Sequence, residues 1–220
     1  MKILDKFKII TPFSYMWILR HHIGNSNTIL DLGCGDGSLM AILSQGKNWQ
    51  IIGVDIYEDG LKKAEGRKIY KKLIKGDILT SVQFLNKLSK KYDVVFFSQV
   101  IEHISKKRGE KVLNEIEKLS RKKIIVGTPR GFMKQPREFL GDNPHQIHES
   151  GWEVEDFRSR DYKVFGIGFA PIWSEFGLAR TKNKLFFVFY TFTAYLLSPV
   201  IYFFPGLGAG LLCIKEINEK

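Results

Sequence analysis

The residues best suited to chemistry form a glycine-rich turn, ILDLGCGDG, at positions 29–37. Its apolar beginning is typical of a buried strand, and Gly33, Gly35 and Gly37 then follow at every second position. Because glycine has no Cβ, it lets the backbone approach a ligand closely and adopt left-handed conformations. We therefore predict a strand, a tight turn and a helix here, with the turn lying against a bound molecule.

Two carboxylates follow the next two predicted strands. Asp55 ends the second strand, about 20 residues after the glycine turn, where a carboxylate can accept hydrogen bonds from ribose hydroxyls. Asp77 follows Gly76 after a weaker third strand, and its carboxylate could accept a hydrogen bond from an adenine amino group. Together, the turn and the two acids predict a cofactor that contains a nucleoside.

With these motifs the sequence resembles the class I S-adenosylmethionine-dependent methyltransferases, and most of all their small-molecule and quinone-type group. The resemblance covers residues 28–169 and rests on DLGCGDG at 31–37, GVDI at 53–56, GDI at 76–78 and YDVVFFSQVIEHI at 92–104. It implies that the cofactor is S-adenosylmethionine and that the glycine turn lies under the methionine part. The residues it assigns to the cofactor are Asp31, Gly33, Cys34, Gly35, Asp55, Ile56, Asp77, Ile78, Ser98 and Gln99.

The main competing interpretation of the glycine turn is a nicotinamide-dependent oxidoreductase. The fingerprint of that class is GxGxxG, whereas this turn is GxGxG and has Asp31 inside the preceding strand. Asp31 would repel a pyrophosphate but attract the ammonium group of a methionine, so it favours the methyltransferase. A glycine turn in a domain that binds no cofactor is the remaining alternative.

Side chains that could act on a methyl acceptor follow strands four and five, whose carboxyl ends border the usual crevice of an open sheet. His103 could be a general base, or it could only help to cap and pack the next helix. Some quinone methyltransferases hold a divalent cation here with Glu, Glu and His. Glu102 and His103 match that set, but the neutral Gln99 replaces the first Glu, so we predict no metal ion.

Two further histidines, His145 and His148, lie three residues apart in NPHQIH after the fifth strand. They could contact the acceptor or bind a metal, but a third clear ligand is lacking, so we favour acceptor contact, and with His103 they are the predicted catalytic residues. Alternatively, His148 could simply lead into a helix capped by Ser150. The N/D-P-P-Y/F motif of enzymes that methylate adenine and cytosine amino groups is missing after strand four, where SQVI stands, and this disfavours that reaction.

The elements that must position these residues alternate along the chain. Short runs rich in β-branched and aromatic residues predict strands, and amphipathic stretches between them predict helices. The fold class is therefore α/β, with a mostly parallel sheet covered on both faces. The resemblance implies seven Rossmann-like strands, of which the last is antiparallel and lies beside the fifth. The predicted strands are 28–32, 50–56, 73–74, 92–97, 123–127, 162–169 and 208–216, and the predicted helices are 38–43, 59–70, 108–119 and 151–160.

A charge-free run, 185–204, precedes the last predicted strand. At about 20 residues it is long enough to span a bilayer. A single complete span would, however, place two neighbouring strands of one sheet on opposite sides of the membrane. We therefore predict an interfacial helix or a helical hairpin bent near Ser198-Pro199, within a hydrophobic insertion at 170–206; a core helix and an oligomer interface are the alternatives. The predicted interface aromatics are Trp173, Tyr195 and Tyr202.

Length, cysteines and charge set further bounds. A chain of 220 residues suits a single domain, 1–220, in which 1–27 is predicted to be an N-terminal helical lid. Its two cysteines exclude a disulfide scaffold and zinc sites built from CxxC pairs. The first residues, MKILDKFKII, do not resemble a signal peptide, so we predict a cytoplasmic setting. The net charge of +11 suits either a nucleic acid or an anionic membrane.

The sequence thus predicts an S-adenosylmethionine-dependent methyltransferase of a small, hydrophobic or membrane-resident acceptor. Its membrane contact would be peripheral or monotopic, at the inner face, through 185–204. One alternative is an RNA methyltransferase, although lysines scattered over many helix faces and the lack of a recognisable RNA-binding module argue against a nucleic-acid partner. The other is a non-catalytic membrane-associated module with the same fold.

Overall fold

Seven strands form one sheet in the computed structural model, which describes residues 9–134 and 143–217. The strands are β1 (Thr28–Leu32), β2 (Gln50–Asp55), β3 (Tyr70–Lys75), β4 (Tyr92–Ser98), β5 (Ser120–Pro129), β6 (Lys163–Phe169) and β7 (Gly208–Glu216). Their order is β3-β2-β1-β4-β5-β7-β6, and only β7 is antiparallel to its neighbours. The predicted Rossmann-like sheet, with its antiparallel last strand beside the fifth, is confirmed.

Helices cover both faces of this sheet. They are α1 (Tyr15–Ile23), α2 (Ser38–Leu43), α3 (Glu58–Gly66), α4 (Ile78–Lys87), α5 (Lys106–Leu119), α6 (Val154–Arg158), α7 (Ala170–Trp173), α8 (Lys184–Leu196) and α9 (Ser198–Phe203). Short 3-10 turns occur at Ile101–His103, Pro144–Gln146, Leu178–Arg180 and Pro205–Leu207. The described part of the predicted lid contains α1, and residues 1–8 of that lid lie outside the described residues.

Alternation of side chains along the strands produces two hydrophobic cores. In β1, Leu30 and Leu32 belong to one core, which α4 and α5 complete. Ile29 points to the opposite face and belongs to a second core, which α1 and α2 complete. Both cores are buried almost completely, so the sheet is a rigid support for the loops at the carboxyl ends of its strands.

Two predicted elements differ from the structure because of local backbone chemistry. The helix predicted over 59–70 ends at Gly66, since Lys68 has a left-handed φ of 57° and Tyr70 already belongs to β3. The helix predicted over 151–160 is shorter and begins after Glu153, whose backbone N–H donates to the Asp156 carboxylate in a capping box. The interpretation of Ser150 as a cap is wrong. Its hydroxyl is buried and donates to the carbonyl of Ile101.

Within the hydrophobic insertion, the charge-free run forms most of two helices, α8 and α9, with a break at Leu197, close to the predicted bend. The second helix, α9, packs directly on β6: a Cβ at Gly166 would lie only 2.3 Å from the carbonyl oxygen of Ile201. The Tyr202 ring stacks on Phe165, so Tyr202 packs inwards and does not serve as an interface aromatic. Within 9–134 and 143–217, every helix is too short or too polar to cross a membrane.

Candidate active site

The glycine turn joins β1 to α2 at the carboxyl edge of the sheet. Gly33 has a φ of 71°, and a Cβ there would lie 2.3 Å from a methyl group of Val100. Gly35 has a φ of 54°, and a Cβ there would meet no described atom within 4 Å. The first glycine is therefore required by packing and the second faces open space, so a ligand can approach the backbone at Gly35.

Asp55 holds this turn in place from the end of β2. Its Oδ2 accepts a hydrogen bond of 2.7 Å from the backbone N–H of Gly35, and its Oδ1 accepts one of 2.8 Å from that of Tyr57. A carboxylate oxygen can accept more than one hydrogen bond, so both oxygens can still receive a ligand hydroxyl. Asp55 is thus both a support for the loop and a wall of the site.

The space beside this turn is a cleft with a volume of about 280 Å³. It lies at the carboxyl ends of β1, β2 and β4, as expected for a ligand site in an open parallel sheet. The structure brings nine of the predicted site residues together around it. They are Gly33, Gly35, Asp55, Ile56, Asp77, Ile78, Gln99, His103 and His145.

One wall of the cleft carries an ion pair that sequence reasoning missed. Arg108 in α5 donates to the Asp77 carboxylate at 2.6 Å, and Asp77 also caps α4 by accepting from the Thr80 N–H. Burial alone would raise the pKa of Asp77, but these hydrogen bonds outweigh it and hold the pKa below its ordinary value. A ligand that contacts Asp77 therefore also meets the guanidinium of Arg108.

Three predicted cofactor residues, Asp31, Cys34 and Ser98, are not among the described residues that line the cleft. Asp31 is buried and accepts a hydrogen bond of 2.7 Å from the Tyr70 hydroxyl. Burial raises the pKa of Asp31 to about 7. Its assignment to the methionine ammonium stays a prediction, and its observed contact is with β3.

Cys34 and Ser98 have their observed contacts elsewhere. The Cys34 sulfur lies close to Gly53, and burial raises the pKa of its thiol. The Ser98 hydroxyl is 2.6 Å from that of Tyr15 in α1. Nothing in the sequence indicated this contact, because 83 positions separate the two residues.

Glu102, His103 and His148 form a cluster beside the cleft, with one ligand-capable atom from each within 4.8 Å of the others. The Glu102 side chain is buried and accepts a hydrogen bond of 3.0 Å from Thr128, and burial raises its pKa to about 7. A carboxylate and two imidazoles form a set that could coordinate a divalent cation. The predicted lack of a metal ion stays a prediction.

Backbone carbonyls determine which nitrogens of this cluster are available. His103 Nδ1 lies 3.3 Å from the carbonyl oxygen of Ile147, and His148 Nδ1 lies 2.5 Å from that of Met133. A carbonyl only accepts hydrogen bonds, so each Nδ1 carries a proton and faces its carbonyl, and each Nε2 is the nitrogen left for other contacts. The pKa of His103 is lowered, first by burial and then by the nearby His148, so the imidazole is neutral near pH 7. His103 is therefore able to accept a proton.

Gln99 occupies the junction between the cleft and a second, larger cavity. Its φ of 60° is left-handed, which is strained for a residue with a Cβ. Its backbone N–H donates to the Gly127 carbonyl at 2.7 Å, and this bond ties it to the end of β5. Strained backbone of this kind is frequent at functional sites.

Comparison with known proteins agrees with this geometry. Residues 23–159 match the sequence model of the methyltransferase domain family. Among solved structures, a SAM dependent methyltransferase from Archaeoglobus fulgidus is 18% identical, with a TM-score of 0.58 over 98% of this chain and 100% of that one. The methyltransferase domain of bacterial CtHen1-C is 20% identical, with a TM-score of 0.56 over 94% and 98%.

A third structure, the N-terminal domain of EvdMO1 with SAH bound, is 15% identical, with a TM-score of 0.51 over 67% of this chain and 68% of that one. No curated protein matches the chain. At these identities the structural likenesses show a common fold, and they leave the acceptor undetermined.

Proposed function

Because this chain belongs to the methyltransferase domain family, we propose that it methylates a small hydrophobic acceptor that resides at a lipid surface. Membership confirms the predicted family, whose methyl donor is S-adenosylmethionine. What we propose is the kind of acceptor and the lipid surface as the place where the protein binds it. The observation that carries it is the exposed apolar surface of α8 and α9.

The cleft suits this cofactor in two respects. Gly35 leaves open space where any other residue would place a Cβ, and the Asp55 carboxylate beside it can accept hydrogen bonds from hydroxyl groups. When bound, S-adenosylmethionine supplies a methyl carbon already activated by a sulfonium, and transfer to an acceptor O–H or N–H breaks the carbon–sulfur bond and releases one proton. The protein then mainly has to align the acceptor and receive that proton.

His103 is the residue we assign to the proton. It lines the cleft, its Nε2 has a free lone pair, and its lowered pKa keeps the imidazole neutral near pH 7. The buried Glu102 lies beside it and belongs to the same cluster. His145 lines the outer part of the cleft, where it can contact the acceptor, while His148 packs edge-on against the His103 ring at 4.8 Å and positions it.

The support for a lipid surface comes from α8. Most of its apolar side chains face outwards, and Leu185 and Phe189 are 76% and 60% exposed. In α9, Phe203 is 65% exposed. Exposed apolar patches of this extent mark interaction surfaces in soluble proteins. We call these outward-facing residues of α8 and α9 the apolar face.

Charge around the apolar face favours lipid over a second copy of the chain. Arg180, Lys182 and Lys184 are exposed at its edge, where α8 begins. Basic residues near an anionic bilayer contribute about 1 kcal/mol each. Two copies packed face to face with their α8 helices parallel would instead bring these like charges together.

Flotation with vesicles tests the lipid contact. We expect the full chain to float with vesicles containing phosphatidylglycerol, less so with pure phosphatidylcholine, and Phe189→Ser to float poorly. Glu65→Ala, which changes an exposed residue on α3, is the control. A chain that never floats, or that forms a dimer burying the apolar face, would overturn the proposal. Retention on RNA that declines steeply with salt would favour the RNA methyltransferase alternative.

Methyl transfer is tested separately. With tritiated S-adenosylmethionine and a total lipid extract, we expect label to appear in the organic phase. Label that stays in the aqueous phase with every lipid extract, while calorimetry shows cofactor binding, would refute the hydrophobic acceptor and leave the family membership intact.

A further inference from the structure

A cavity of about 490 Å³ lies between the N-terminal segment and the hydrophobic insertion, next to the cofactor cleft. Tyr15 and Ile18 of α1 form one side, and Ala194 and Thr191 of α8 form the other. Its volume falls within the range of sites for small molecules. Gln99 lines both this cavity and the cleft, so the two spaces meet at that residue.

Most of this cavity is built outside the part of the chain that matches the family. The match covers 23–159, whereas the segment 13–18 and residues of α7, α8, β6 and β7 line the cavity. Sequence outside the match is where a feature specific to this chain would be encoded. The position of the cavity therefore points to selection of the acceptor and not to the shared cofactor.

The two ends of the cavity differ in polarity. At the end that meets the cleft are Gln99, which is exposed, and Tyr15, whose hydroxyl is hydrogen-bonded to Ser98 at 2.6 Å. At the other end are Trp173 and Tyr195, each 39% exposed and next to the apolar face. An amphiphile would match this polarity, with its polar group at Gln99 and its apolar part towards α8.

Thr191 lines this cavity, but its hydroxyl oxygen does not face the open space. That oxygen is fully buried and has no hydrogen-bond partner among the described residues. A buried hydroxyl without a partner costs free energy, and helical threonines usually relieve that cost by bonding a carbonyl one turn earlier. A molecule in the cavity therefore does not meet this hydroxyl.

We propose that this cavity binds the methyl acceptor, an amphiphile whose polar group reaches Gln99 and whose apolar part extends to the apolar face. The inference rests on the proposed function and adds to it a binding site and a substrate class. An acceptor dissolved in lipid would then pass from the bilayer, beneath α8, to the cofactor cleft. The insertion would combine membrane contact with acceptor selection.

The probe for the test is N-phenyl-1-naphthylamine, an uncharged dye whose fluorescence rises when it leaves water. We expect saturable binding to the full chain. Because Ala194→Phe and Thr191→Phe would fill the cavity, each should weaken binding at least tenfold. Thr191→Val keeps the volume and should bind the dye within threefold of wild type. If both filling variants lose dye binding, misfolding of a single variant cannot explain the loss.

The control separates the cavity from the apolar face. Phe189→Ser changes an exposed side chain of the same helix and should keep dye binding while losing flotation. Dye binding that is lost in Phe189→Ser and kept in both filling variants would overturn the proposal, as would a chain that never binds the dye. Calorimetry with S-adenosylmethionine distinguishes failure of this inference from failure of the proposed function. A filling variant should bind the cofactor normally even if the cavity does not bind the acceptor.

Discussion

The Oδ2 atom of Asp55 accepts a hydrogen bond of 2.7 Å from the backbone N–H of Gly35. This bond joins the acid that ends β2 to the glycine turn that follows β1, so two sequence motifs become one structural unit. The same carboxylate lines the cleft. Loss of Asp55 should therefore loosen the turn and remove a ligand contact at the same time.

Replacement of Asp55 by alanine should weaken S-adenosylmethionine binding by about 10–100-fold. The reason is that hydrogen bonds to a charged group contribute about 1.5–3 kcal/mol. Isothermal titration calorimetry measures the change, with Glu65→Ala on α3 as a matched loss of one exposed carboxylate. Equal affinity in Asp55→Ala and wild type would refute the assignment.

Gly33→Ala should lower the free energy of unfolding by about 2–4 kcal/mol. A left-handed alanine costs about 1–2 kcal/mol, and the new Cβ also collides with Val100. Gly46→Ala is the control, since Gly46 has a similar φ of 66° but no described atom within 4 Å of a Cβ. Urea denaturation should show the smaller loss for Gly46→Ala. Equal losses would mean that packing against Val100 is unimportant.

His22 predicts an acid-sensitive contact between α1 and the insertion. Its Nε2 lies 2.7 Å from the Tyr202 hydroxyl, and burial, followed by the charges of His21 and Lys123, lowers its pKa to about 4. Between pH 6.5 and pH 4 the unfolded chain binds a proton that the folded chain does not. The free energy of unfolding should therefore fall as the pH drops through this window, by about 1–2 kcal/mol after screening by solvent.

The measurement is urea denaturation at several pH values. His22→Gln keeps a hydrogen-bonding side chain that does not titrate, so its stability should decline less over the same window. His21→Gln, at the exposed neighbour, should retain most of the decline. If the free energy of unfolding of His22→Gln fell with pH as steeply as that of wild type, His22 would not be the source of the decline.

His103→Asn should reduce the rate of methyl transfer by about 10²–10⁴-fold, the usual contribution of a general base. Because the side chain contributes to the acceptor side, cofactor affinity measured by calorimetry should change little. Initial rates with tritiated S-adenosylmethionine and a lipid extract provide the test. A near-normal rate would restrict His103 to packing against His148.

Thr191→Val should raise the free energy of unfolding by about 1 kcal/mol. The substitution removes a buried hydroxyl that has no partner within the described chain and keeps the shape of the side chain. Thermal and urea denaturation without ligand measure the change. A clear loss of stability would mean that the hydroxyl has a partner in the folded protein.

Interactions that are local along the chain were largely predictable. The glycine turn lies within one strand–helix connection, and Asp55 ends the very next strand, so spacing alone brings them to one edge of a parallel sheet. Strands with continuous apolar runs, such as β1 and β4, were predictable from those runs, whereas β3 (YKKLIK) gave only a weak signal over 73–74 and the total of seven came from the family resemblance. The ends of strands and helices were less predictable, because the backbone conformation of a single residue, such as Lys68, decides where an element stops.

Contacts between distant segments could not be predicted. Arg108 binds Asp77 across 31 positions, and Tyr15 binds Ser98 across 83. Ser150 matches the pattern of a helix cap, yet the packing of Trp152 places it in the core, where its hydroxyl accepts from the indole N–H. In each case the sequence offers many side chains that could be the hydrogen-bonding partner, and only the packing of the folded chain decides which one is.

By itself the sequence indicated the methyltransferase family and its sheet, through motifs that resemble the family, and nine of the residues that surround the cleft, because strand patterns and short motifs are local along the chain. Only the tertiary structure decided where the apolar insertion lies. It joins α8 and α9 to α1 and β6, and so forms a cavity that meets the cleft at Gln99. The physical reason is that a cavity belongs to no single segment and exists only where distant elements pack together while leaving space between them.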